Sequence, residues 1–199
     1  YMISGEDAGA FNGFVYNESS DSWLENKTIN ASLQTVVTHP TPSVFQKDGW
    51  WYMISGRNTG TFVGYTYDDT THTWSQNTTI FTGLPDTGVN SAPSVFYKDG
   101  WWYMISGEGN GGFNGFVYDD TTHTWAENKT INASLPDIGF GPTPSVFYND
   151  GWWYMISGEQ EGGFNGFVYD DTTHTWAENK TINASLPDIG GNSKPNVFY

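Results

Sequence analysis

The string Tyr-Met-Ile-Ser-Gly begins at Tyr1, Tyr52, Tyr103 and Tyr154, a step of 51 residues each time with no insertion. No other feature limits the fold so strongly. Pro-Ser-Val-Phe begins at Pro42, Pro93 and Pro144, and Pro-Asn-Val-Phe at Pro195. A tryptophan recurs at Trp23, Trp74, Trp125 and Trp176. A period of roughly 40–50 residues built from short strands is that of a propeller blade.

One repeat reads as four strands. Pro93–Tyr97 is short and apolar, and Lys98-Asp99-Gly100 is a hairpin turn, because Asp-Gly adopts the positive φ that tight hairpins need. Trp101–Gly107 follows, apolar on both faces, as suits a sheet stacked between two neighbours. A glycine-rich turn leads to Phe113–Asp119, and the turn Asp119–Thr124 leads to a fourth strand. That strand is expected to run from Trp125 through Asn-Lys-Thr-Ile-Asn-Ala-Ser, with no helix capped anywhere. The fold class expected is all-β, a β-propeller of four blades with four antiparallel strands each. The whole of 1–199 forms one domain. Blade 1 takes 1–41 plus 195–199, blade 2 takes 42–92, blade 3 takes 93–143 and blade 4 takes 144–194. The C-terminal strand is expected to pair with the N-terminal strands and close the ring, removing two open sheet edges. The competing reading is a fragment of a longer array, such as half of an eight-bladed ring.

The repeats Pro93–Thr143 and Pro144–Lys194 differ at seven positions, and six of these fall in the second-to-third turn or the blade-to-blade link. Both should open on one face of a propeller. Loops drift freely, yet the opposite-face turn Asp-Asp-Thr-Thr-His-Thr is identical in the last three repeats. The sharper reading is a variable face that contacts a ligand. Its candidate contacts are Glu6, Arg57, Asn58, Asn90, Glu108, Asn110, Glu159 and Asn192. Glu6, Glu108 and Glu159 follow the Tyr-Met-Ile-Ser-Gly string in three blades, and Arg57 takes that place in blade 2.

Charge narrows the partners. With 22 acidic against 7 basic residues, the net charge is −15, which disfavours nucleic acid and anionic membranes. No apolar run approaches the ~20 residues of a membrane span. No cofactor is expected, although a cation in the central channel would suit the negative charge. His72, His123 and His174 stand one per blade in a turn, too dispersed to share a metal. The pairs Trp50-Trp51, Trp101-Trp102 and Trp152-Trp153 read as blade packing, with sugar stacking the other possibility. Asn-x-Ser/Thr occurs at Asn17, Asn26, Asn30, Asn77, Asn128, Asn132, Asn179 and Asn183. These are candidate glycosylation sites and hint at a secreted or cell-surface glycoprotein. Asparagine and threonine also suit edge strands and turns.

The elements PSVFYKDGWWYMISG, GFVYD and the Leu-Pro-Asp-Ile-Gly link resemble tandem propeller repeats of extracellular and cell-surface proteins, archaeal ones in particular. More distantly, P-S-V-F-x-x-D-G-x-W-Y-M resembles blades of the five-bladed glycoside hydrolases of arabinanase and fructosidase type. That second resemblance implies acids on or near innermost strands, where this chain has none. Near-identical blades also offer near-identical carboxylate environments, whereas glycoside hydrolysis needs two different ones. The expectation is therefore a non-enzymatic binding or adhesion module for glycans or a protein partner, multivalent through its repeats. The alternatives are a structural unit of a surface layer or filament, and a degenerate glycoside hydrolase.

Overall fold

The computed structural model describes all residues except 1, 7, 31, 34–38, 160–161, 185, 188–193, 196 and 198–199, and the side chains of Asn30 and Asn183. Blade 1 contains β1 (Met2–Gly5), β2 (Phe11–Asn17) and β3 (Ser22–Glu25). Blade 2 contains β4 (Thr41–Lys47), β5 (Trp50–Gly56), β6 (Phe62–Asp68) and β7 (Thr73–Gln76). Blade 3 contains β8 (Ala92–Lys98), β9 (Trp101–Gly107), β10 (Phe113–Asp119) and β11 (Thr124–Glu127). Blade 4 contains β12 (Thr143–Asn149), β13 (Trp152–Gly158), β14 (Phe164–Asp170) and β15 (Thr175–Glu178). Each sheet is an antiparallel meander, and the architecture is a four-bladed all-β propeller. Among the described residues blades 2, 3 and 4 have four strands and blade 1 has three.

The Asp-Gly turns form as their chemistry dictates, with Asp99 at φ 50° and Gly100 at φ 87°. Blades then stack through alternating side chains of the second strand. Met104 faces back towards Ile54 of blade 2, while Ile105 faces forward to Met155 of blade 4; all four are fully buried. Phenylalanine, tyrosine and tryptophan of the third and fourth strands fill the rest of each interface, as Phe116, Tyr118 and Trp125 do between blades 2 and 3. The Trp125 indole N–H donates to the Ile80 carbonyl at 2.7 Å, and that of Trp176 donates to Ile131. In blades 3 and 4 the recurrent tryptophan thus anchors its blade to the last turn of the blade before it.

The fourth strand is shorter than the sequence suggested. It ends at Gln76, Glu127 or Glu178, and the segment that follows is helical in blades 1, 2 and 4 and a plain turn in blade 3. Two such turns are α1 (Lys27–Asn30) and α2 (Lys180–Asn183), and Thr79–Phe81 makes a 3-10 turn in blade 2. The cause is the leading asparagine. The Asn179 side chain caps α2 by accepting from the Thr181 N–H, and Asn128 accepts from both Thr130 and Ile131. An asparagine cap of this kind stabilises a turn too short to show any helical periodicity.

Inner strands are linked by their serines. The Val95 N–H donates to Ser43 Oγ and the Val146 N–H to Ser94 Oγ, each at 3.0 Å. The Val197 N–H continues the series onto Ser145 Oγ at 3.2 Å. The expected pairing of 195–199 with β1 otherwise lies outside the described residues. Blade 1 also differs in packing: Trp23 is 43% exposed, against 3% for Trp125.

The opposite-face turns are held by carboxylates. Asp119 Oδ1 accepts from the backbone N–H of Thr121 and Thr122, and these bonds hold its pKa below the usual carboxylate value; Asp68 and Asp170 do the same. A lowered folded-state pKa contributes stability that is present above the ordinary carboxylate pKa and is lost as pH falls through the folded value. Thermal melts between pH 5 and pH 2 are therefore expected to show a falling Tm, with a shallower slope in Asp119→Ala.

Candidate functional site

The two kinds of loop on the variable face do meet. The Thr87 N–H donates to the Gly60 carbonyl at 3.0 Å, and Ile138 to Gly111 at 3.2 Å, so in blades 2 and 3 the second-to-third turn is tied to the link leaving its own blade. The Asn90 N–H donates to the Asn58 carbonyl at 3.4 Å, which brings those two candidates together. A Cβ built on Gly139, in the link from blade 3 to blade 4, would lie 3.4 Å from Glu159 Oε2. The Glu159 carboxylate therefore sits over the link entering its blade.

Four candidate charges occupy one equivalent position. Glu6, Arg57, Glu108 and Glu159 each open a tight turn, donating a backbone N–H four residues ahead and accepting one from three residues ahead. The backbone is constant and only the side chain changes. Asn12 Nδ2 donates to Glu6 Oε1. Asn110 is exposed, and its side-chain oxygen accepts from the Gly112 N–H at 3.3 Å. Asn192 lies outside the described residues.

Blade 2 departs from the other three at this turn. Where blades 1, 3 and 4 have glutamate with Asn12, Asn114 or Asn165 and Phe14, Phe116 or Phe167, blade 2 has Arg57 with Val63 and Tyr65. The asparagine that could partner the turn's side chain is gone, and Arg57 Nε is buried with no hydrogen-bond partner among the described residues. Burial raises the Tyr65 pKa, with the Arg57 charge opposing it. The single-residue change at Arg57 is visible in sequence; its coupling to Val63 and Tyr65 emerges only when the blades are superposed position by position.

Inside the ring a cavity of about 710 Å³ is lined by the starts of the inner strands, including Ser43, Ser94, Ser145 and Val197. Asp69 is the one carboxylate among its described lining residues, and no group of three His, Cys, Asp or Glu among the described residues could hold a metal ion. The inner-strand serines are occupied as bolts between blades. His72 and His123 are turn residues at φ 56°, with Nδ1 at 3.3 and 3.5 Å from the Tyr67 and Tyr118 hydroxyls. The sequon asparagines also have local work: Asn17 Oδ1 accepts from Ser19 and Ser20, Asn26 Oδ1 accepts from Thr28 and Ile29, Asn77 Nδ2 reaches Thr66 Oγ1, and Asn132 Nδ2 reaches the Phe113 carbonyl.

No protein-family model and no curated protein matches the sequence. Solved structures do match, and several of them are sugar-cleaving enzymes by name. A putative exo-β-1,3-galactanase from Bifidobacterium bifidum aligns with 89% of this chain and 63% of its own, at TM-score 0.61 and 14% identity. A GH43 β-xylosidase/α-arabinofuranosidase from a compost metagenome aligns over 88% and 69%, at TM-score 0.57 and 14% identity. An exo-1,5-α-L-arabinanase from a bovine ruminal metagenome aligns over 70% and 53%, at TM-score 0.50 and 13% identity. The chain spans about half the length of that arabinanase. At these identities the likeness is one of fold: a β-propeller resembling those of glycoside hydrolases. It nevertheless corrects the expectation of a non-enzyme. That expectation rested on inner strands without carboxylates and on near-identical blades, whereas the solved structures of like fold named here are glycoside-cleaving enzymes by name.

Proposed function

We propose that the chain is a glycoside-hydrolase-like propeller that engages a glycan at the channel mouth, with Glu108 and Glu159 as its working carboxylates. One observation carries this reading: glutamates of neighbouring blades hold the same turn position on a fold shared with sugar-cleaving enzymes. Their neighbours differ in two respects. Glu159 lies over Gly139, while Glu108 is followed by Gly109-Asn110 where blade 4 has Gln160-Glu161. Two carboxylates in unlike environments can act as acid and base. Arg57, Asn58 and Asn90 would orient the sugar from the neighbouring positions of the same face. Asn192 completes the set by its place in the repeat.

The partner is accordingly a carbohydrate, and the acidic surface argues against nucleic acid. Among the described residues no helix is long and apolar enough to cross a membrane. The sequons and the likeness to cell-surface repeats support a secreted or surface setting. The test is release of sugar from soluble galactan, xylan and arabinan, compared with the variants E108Q and E159Q.

A further inference from the structure

The face opposite the channel mouth carries a second constellation, repeated at two blade junctions. Between blades 2 and 3 a cleft of about 380 Å³ is lined by Lys47, Asp48, Tyr97, Gly100, Trp102 and Asp120. Lys47 pairs with Asp48 of its own turn and reaches Asp120 of the next blade at 2.6 Å. Between blades 3 and 4 the pattern recurs: Lys98 pairs with Asp99 and reaches Asp171 at 2.6 Å. Each lysine lies over a tyrosine ring of the next blade, Tyr118 or Tyr169.

As a bolt between blades, this cluster needs only the buried lysine. The Lys98 side chain is 7% exposed, but Asp99 and Asp171 are 78% and 59% exposed. An ionised carboxylate has about four lone-pair sites, so each keeps several directed at solvent after meeting the lysine. Beside them stand aromatic rings that reach the surface. Tyr97 and Tyr148 are about half exposed, resting on Trp102 and Trp153 at centroid separations of 5.1 and 5.2 Å. The tryptophan pairs divide in the same way. Trp102 and Trp153 pack on Phe45 and Phe96, as blade packing requires, whereas Trp101 and Trp152 are more than half exposed.

We propose that these two junction clefts bind neutral sugar residues of a polysaccharide, the tyrosine ring lying against the sugar's C–H face and the two aspartates accepting its hydroxyls. A pyranose has one apolar face and a hydroxyl edge, and an aromatic wall beside fixed acceptors matches both. Charge selects neutral sugars: each cleft holds two carboxylates against one ammonium, on a chain of net charge −15. A metal is not the fit, because the lysine ammonium already occupies the point between the carboxylates. The junction from blade 4 onward lacks the lysine, having Asn149 there, so the described residues provide two sites. These sites are separate from the channel mouth and do not depend on its chemistry.

Affinity electrophoresis in gels containing galactan, xylan or polygalacturonate tests this with the parent chain, Y97A/Y148A and E108Q/E159Q. The parent and E108Q/E159Q should be retarded by at least one neutral polysaccharide, and none by polygalacturonate. Y97A/Y148A should bind roughly tenfold more weakly, while still unfolding cooperatively, because both side chains are about half exposed. Retardation of Y97A/Y148A equal to the parent's, or no retardation of the parent by either neutral polymer, would overturn the proposal.

Discussion

Replacing Phe116 with alanine is expected to cost about 4 kcal/mol of stability, enough to lower Tm by roughly 10 °C in a chain of this size. Phe116 is 1% exposed and sits between blades 2 and 3 among Ile54, Met104, Tyr118 and Trp125. Those neighbours belong to two sheets, each held by its own hydrogen-bond ladder, so neither can collapse into the void. The repeat supplies an internal control. Phe14 is the counterpart in blade 1, where the side chain is only partly buried. Phe14→Ala should therefore cost less than half as much. Urea unfolding of both variants checks the comparison, and equal losses would mean that the interfaces do not carry the stability assigned to them.

Gly107→Ala is expected to cost about 3 kcal/mol through a different mechanism. A Cβ on Gly107 would fall 1.8 Å from the Pro142 carbonyl oxygen and 2.7 Å from its carbon. Both are backbone atoms of the link into blade 4, so the blades themselves must separate. Gly56 meets Ser91 in the same way, at 1.8 Å, and Gly5 meets Pro40 at 2.0 Å. The last residue of the Tyr-Met-Ile-Ser-Gly string is thus fixed by close approach between blades. Gly100→Ala provides the contrast: nothing lies within 4 Å of its added Cβ, and only the positive φ of 87° is strained. About 1 kcal/mol is expected there. Chemical denaturation of the two variants should rank them in that order.

The blade was legible because its signals are local and repeated. Asp-Gly turns, doubly apolar second strands and the 51-residue step each point to the same sheet, and three copies of every signal remove chance. The helical turn after the fourth strand was not legible, because one asparagine cap and a single turn leave no periodicity to read. The Ser43, Ser94 and Ser145 bolts were hidden for another reason: their partners lie in the neighbouring blade, at a separation of 52 residues. The Lys47 and Lys98 pairs were hidden likewise, since Lys-Asp-Gly and Asp-Asp-Thr-Thr each read as complete turns. At the second-to-third turns, position was legible and chemistry was not. The equivalence of Glu6, Arg57, Glu108 and Glu159 follows from the repeat alone. The expectation of no catalysis came from inner strands without acids and from near-identical blades, and the likeness in fold to glycoside hydrolases runs against it.

The most direct measurement on the central claim is the rate of sugar release from galactan, xylan and arabinan by the parent chain, E108Q and E159Q, followed by chromatography of the products. The account predicts release by the parent from at least one of the three, and a loss of roughly a hundredfold or more in each variant, the scale of a lost acid or base group. No release by the parent, or release by both variants at the parent's rate, would contradict it.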